Sequence, residues 1–213
     1  VDTAAVQRSH VEAVTHVARA ILEDGVVTTQ ELDALGRIAH VLGVDWASLP
    51  PQLAQTLTIA HTVLRIGNGQ PPILDPRTTH LNEATDELTH AQVGAQVLDE
   101  RVIRREYRGG SSGVSLRVCK GVNYRFGSTR GYSVPVTAVV PVDSGTLSIT
   151  NQRVVFAGRL KSFSIPWAKV ASVEPMADGV HLAFTSRTKS ALIKYTDPTY
   201  AEIYAALLAR YAT

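Results

Sequence analysis

The sequence predicts an α+β protein: an N-terminal helical bundle followed by an antiparallel β-barrel capped by a C-terminal helix. Three observations predict it. Apolar residues recur at helical spacing through the first part of the chain and alternate after Arg108. Turn residues then break the chain every few positions, until Tyr200, Tyr204, Leu207, Leu208 and Tyr211 restore a helical stripe. Charge divides at nearly the same place: residues 1–100 carry 5 Lys+Arg against 13 Asp+Glu, a net of −8, and residues 101–213 carry 16 against 6, a net of +10.

The helical elements follow in order. Val14, Val17, Ala18, Ile21 and Leu22 share one helical face, which ends at the turn signal Asp24-Gly25. Thr28 and Glu31 have capping-box spacing, each side chain meeting a free backbone N–H of the other. Leu32, Leu35, Ile38, Ala39 and Leu42 make the next apolar face, with Gly43 as its stop. Leu53, Leu57, Ala60 and Leu64 mark a third helix, ended by Gly67-Asn68-Gly69-Gln70-Pro71-Pro72. After Asn82, the spacing of Ala84, Leu88, Ala91, Ala95, Leu98 and Val102 predicts a fourth. Its stripe, Leu88, Ala91, Ala95 and Leu98, would dock on the bundle or pair two chains into a homodimer.

The basic part reads as strands over 113–118, 123–126, 133–139, 146–150, 153–157, 161–165, 170–173, 180–184 and 191–195. Gly109-Gly110, Gly127, Gly131, Asp143-Ser144-Gly145, Asn151, Gly158, Pro166 and Asp178-Gly179 separate them. Asp197-Pro198 supplies a cap and first-turn proline for the last helix. The organisation expected is an acidic helical domain over 1–80, a helical connector over 81–105 and a basic β domain over 106–213.

Two resemblances attach to these residues. The stretch Ile21-Leu22-Glu23-Asp24-Gly25-Val26-Val27-Thr28 through Gly43 resembles the TerB-like helical modules of bacterial proteins, where an Asp-Gly-x-hydrophobic-(Ser/Thr)-x-x-Glu turn joins two helices. The acidic positions linked to metal in that family are mostly missing, so no metal role carries over. Tyr107-Arg108-Gly109-Gly110, Lys120-Gly121-Val122-Asn123-Tyr124, Thr146 to Gly158, Lys161 to Pro166, Lys169 to Pro175 and Asp178-Gly179-Val180 are similar to the GRAM/PH-like domains of uncharacterised bacterial proteins. That resemblance implies a β-barrel plugged by its last helix and a binding module for lipids, peptides or proteins. Lys120 and Arg125 fall near its first two strands, where inositol-phosphate-gripping members carry basic residues, but the full K-x(n)-[KR]-x-R pattern is absent. In bacteria, modules of both kinds sometimes follow nucleic-acid-processing domains.

Catalytic and metal chemistry find little support. On an EF-hand template, Asp24, Gly25 and Glu31 take the fifth, sixth and twelfth positions, but Ala20 and Leu22 then stand where oxygen ligands are needed. Gly109-Gly110-Ser111-Ser112-Gly113 fits G-x-S-x-G, yet a strand rather than a helix is expected after it. The seven histidines show no metal spacing, and no phosphate-binding glycine loop or dinucleotide fingerprint occurs. Asp86 and His90, one helical turn apart, read as a surface pair. Trp46 and Trp167 read as packing residues. No catalytic residue, metal or cofactor is assigned.

The basic cluster carries the functional expectation. Between Arg101 and Arg130 lie eight cations and one acid, Glu106, with Tyr107, Tyr124, Phe126 and Tyr132 interleaved. Guanidinium forks grip phosphate oxygens and aromatic rings stack on bases or sit at a bilayer surface. Arg108, Arg117, Lys120, Arg125 and Arg130 are therefore the candidate anion-binding residues of a non-catalytic adaptor. Its partner is expected to be nucleic acid or an acidic surface, with a protein scaffold and an anionic lipid surface as alternatives. A solvated basic face and docking onto the acidic half also remain open. The single Cys119, no apolar run of the ~18–20 residues that span a bilayer, and an opening without a leader pattern lead us to expect a cytoplasmic protein with no integral membrane segment.

Overall fold

The computed structural model describes residues 2–23, 27–79, 81–119, 122–185 and 190–212; side chains of 105–119 and 122–134 lie outside that description. Three helices come first: α1 (Thr3–Leu22), α2 (Thr29–Val41) and α3 (Pro51–Gly67). Asp2 caps α1 by accepting from Ala4 N–H. Thr28 and Glu31 complete the expected capping box at α2, and Pro51 opens α3 where its missing N–H costs nothing. Val14, Ala18, Leu32, Leu35, Ala39 and Leu57 meet in the bundle core. Gly43 has φ +63°, the left-handed stop expected after α2.

Seven antiparallel strands follow: β1 (Thr89–Cys119), β2 (Val122–Thr150), β3 (Arg153–Gly158), β4 (Ser162–Pro166), β5 (Val170–Met176), β6 (Gly179–Phe184) and β7 (Ala191–Tyr195), then α4 (Ala201–Tyr211). Their order is β4-β3-β2-β1-β7-β6-β5. Among the described residues nothing pairs β4 with β5, so the sheet stays open, consistent with an open PH-like sandwich. Tyr204, Leu207 and Leu208 of α4 pack into the sheet against a core that includes Phe156, Leu147, Ile149, Leu182 and Ile193. The protein is thus α+β in the expected order.

Three expectations are corrected. The helical connector over 81–105 does not exist, because β1 begins at Thr89. Ala91, Val93, Ala95 and Val97 are buried, a period of two, so the four-and-three spacing of the stripe was a coincidence within a strand. Ala91 and Ala95 serve the intramolecular core, Leu98 is half-buried beside β7, and Leu88 is exposed just before the strand. Asp86 has φ +62° and could not sit in a helix there; Asn151 pins that turn by donating to Asp86 O and accepting from Leu88 N–H.

The second correction concerns the strands over 113–118, 123–126, 133–139 and 146–150. They are parts of one hairpin of β1 and β2, paired continuously from Thr89↔Thr150 to Cys119↔Val122 apart from a few bulges. The glycines at 109, 110, 113, 127 and 131 lie inside it and do not end strands. Asp143-Ser144-Gly145 likewise lies inside β2, paired with Val97, Gln96 and Ala95, and the bulge falls beside it at Val142, where the register shifts between Val97 and Leu98. The third concerns Asp197, which caps a turn by accepting from Thr199 N–H, while α4 itself begins at Ala201.

Candidate functional site: a basic ribbon and its base

β1 and β2 are central strands only near their outer ends. β7 pairs with β1 over Ala95–Leu98, and β3 pairs with β2 between Gly145 and Ile149. Beyond Leu98 and Gly145, among the described residues, the hairpin has no third strand. About 20 residues of each strand therefore project as a ribbon roughly 65 Å long, at about 3.3 Å per residue. Residues 101–141 carry eight Lys+Arg and one acid. Neighbouring cations on a two-stranded ribbon repel, and such a ribbon is marginal in water without further cover.

The base of the ribbon is tightly built. Gly145 pairs with Gly158, and a Cβ at Gly145 would run into the Ala157 carbonyl oxygen, so this close crossing admits no side chain. The Asp143 carboxylate accepts backbone N–H bonds from Ser144, Leu160 and Lys161 and so ties the β3–β4 turn to the bulge. Burial favours the neutral Asp143 acid, but these donors outweigh it and hold the carboxyl below its ordinary range. Lys161 Nζ reaches Asp99 at 3.5 Å, linking the same turn to the root of β1. Arg101, Val102, Ile103, Arg104, Val139 and Leu160 are exposed around this base, Leu160 at 83% between exposed Arg159 and Lys161.

The predicted anion-binding residues map onto the ribbon. Arg108 pairs with Tyr132, Arg117 with Asn123, Arg125 with Ser115 and Arg130 with Gly110. Their side chains, and Lys120 entirely, lie outside the described residues. The chain thus brings four of the five onto one pair of strands, not onto the wall of a barrel. Gly109–Gly113 runs within β1, with strand on both sides.

Two polar clusters escaped the sequence reading. Glu87, with no side-chain exposure, accepts from Arg153 Nε at 2.8 Å and from its second nitrogen at 2.9 Å, and also from Thr150 Oγ1 and Ala84 N–H. Burial pushes the Glu87 carboxyl up, but the Arg153 fork and the other donors more than reverse this and leave it lowered. Only partners more than 60 residues away reveal that Glu87 is not a surface acid.

His90, read from sequence as a surface residue, is buried. Its Nδ1 lies 2.6 Å from the Pro72 carbonyl and its Nε2 2.7 Å from the Tyr211 hydroxyl. A carbonyl only accepts, so Nδ1 carries the proton in the neutral ring and Nε2 accepts from Tyr211. Burial lowers the His90 pKa from 6.5; the Pro72 bond opposes this and the nearby Arg210 charge adds to it. The unfolded chain therefore takes up this proton first as pH falls below about 6.5. Stability is complete above that value and declines by about 1 kcal/mol per pH unit towards the folded pKa. The midpoint of urea unfolding should drop between pH 7.5 and 5.5, and His90→Gln should flatten that drop. An unchanged slope in the variant would remove His90 from the account.

Among the described residues, no group of three or more His, Cys, Asp or Glu converges on a metal-sized site, and no helix is long and apolar enough to cross a membrane. Comparison with family models, curated proteins and solved structures finds no match to this chain.

Proposed function

We propose that this chain is a non-catalytic binding protein whose basic ribbon engages an anionic partner, with nucleic acid as the first candidate. The observation that carries the reading is the projection of β1 and β2 past their last sheet neighbours, in the stretch with eight cations and one carboxylate. A two-stranded ribbon fits the major groove of a duplex, and tyrosines interleaved with arginines suit stacking on unpaired bases. The strand order and terminal helix support a GRAM/PH-like reading of the second part, and the capped α1–α2 turn supports a TerB-like reading of the first.

Fluorescence anisotropy with labelled duplex and single-stranded oligonucleotides tests this. With four to five phosphates neutralised on a duplex, affinity should fall roughly 150- to 500-fold between 50 and 200 mM salt. Absent binding at 50 mM salt, or binding indifferent to salt, defeats the proposal.

A second reading has its own observation. Leu160, 83% exposed between Arg159 and Lys161, is the pattern of a turn that wets its cations on headgroups and its side chain on acyl chains. Sedimentation with phosphatidylserine vesicles, but not with phosphatidylcholine vesicles, would favour an anionic lipid surface.

A further inference from the structure

A trough runs between α2 and α3, far in sequence from the ribbon. Its main part has a volume of about 680 Å³, within the range of small-molecule sites, and a smaller part of about 330 Å³ shares Leu32, Asp33 and His61 with it. We propose that this trough binds a small aromatic monoanion, an aromatic carboxylate in the simplest case.

Three independent features point to that chemistry. The first is Gly36. Glycine inside a helix is disfavoured relative to alanine, and it is usually explained by a close neighbour or a left-handed backbone. Neither holds here: a Cβ at Gly36 would meet nothing within 4 Å, and its φ is not positive. The missing side chain leaves the floor of the trough open.

The second is charge. Residues 1–100 have only five Lys+Arg, yet two of them, Arg37 and Arg65, border this trough. Among the described residues neither guanidinium has an ion pair or hydrogen-bond partner. His40 and His61 add ring nitrogens beside them. Asp33 is the one carboxylate in the lining, so the permanent charges sum to one positive and match a single ligand charge.

The third is an aromatic wall. Trp46 is half-buried and meets His61 edge-on, with ring centroids 6.4 Å apart at 64°. Its uncovered surface offers a flat ligand a stacking partner beside the cations.

The chain has two tryptophans, which gives the test an internal reference. Trp167 is buried, donates its indole N–H to Thr150 O at 2.9 Å, and does not line the trough. The ¹⁵N-labelled protein is titrated with 2-naphthoate and, separately, with neutral 2-naphthamide. The Trp46 indole signal should shift saturably with naphthoate while the Trp167 signal stays put, and naphthamide should bind at least tenfold more weakly. Arg37→Gln should weaken naphthoate severalfold. Gly36→Leu keeps a good helix former and fills the floor, so it should abolish binding while the circular dichroism spectrum is preserved. An unmoved Trp46 signal, equal binding of acid and amide, or undiminished binding by a folded Gly36→Leu variant overturns the proposal.

Discussion

Replacing Glu87 by alanine is expected to lower the stability by about 3 kcal/mol, near the lower end for breaking a buried ion pair because 27% of the Arg153 side chain still meets solvent. The change removes four hydrogen bonds at once, from both Arg153 nitrogens, the Thr150 hydroxyl and the Ala84 N–H, although the hydroxyl still reaches Arg153 O and the guanidinium still reaches Asn82 O. Water cannot easily replace the carboxylate, since Glu87 and Thr150 are both buried. Glu87→Gln keeps one acceptor oxygen and should lose less. Urea unfolding monitored by tryptophan fluorescence measures both. A loss under 1 kcal/mol for the alanine variant would mean that the network is ornamental. The wild-type protein should show a related acid limb. The Glu87 carboxyl is lowered from 4.5 in the folded state, so its contribution is present above that pH and fades as pH falls below it. This limb lies below the window assigned to His90 and should survive in His90→Gln.

The second large effect concerns the ribbon. Excising residues 102–137 and joining Arg101 to Ala138 through Asn-Gly removes seven cations and one carboxylate. Arg101 and Ala138 are already paired, so a type I′ turn can close the shortened hairpin in register. The sheet pairs at Ala95–Leu98 and Gly145–Ile149 remain, and the fold should keep its thermal midpoint within a few degrees. Oligonucleotide affinity at 50 mM salt should fall at least about 100-fold, as expected when several phosphate contacts vanish together. Equal affinity in the shortened protein would place the binding surface elsewhere.

The sequence carried the helices well because their signals are local: Thr28 with Glu31, and Gly43, announce themselves within one turn. The five short strands from Arg153 to Tyr195 were equally legible from alternation and from turns such as Asp178-Gly179. The failure lay in β1. Alanine and leucine at 88, 91, 95 and 98 mimic a helical stripe, and only ladders from β2 and β7 on either side decide for the strand. Glycines mislead in the other direction, since those within the ribbon are paired where they look like breaks. The candidate site was legible as a charge cluster, whereas its shape was not, because a ribbon's length depends on where neighbouring strands stop. Glu87, Asp143 and His90 were invisible for the same reason, as each is defined by partners remote in the chain.

The two strands that leave the sheet as a ribbon are also the two at its middle. Their alignment is set at the root by three things: the bulge at Val142, the side-chain-free crossing of Gly145 and Gly158, and the short docking of β7. A hairpin anchored this way cannot slide one strand along the other without exchanging inside for outside in the core. The phase of the extension is therefore fixed at its root, and a slip of one residue there would reach the core positions Ala95, Val97, Leu147 and Ile149.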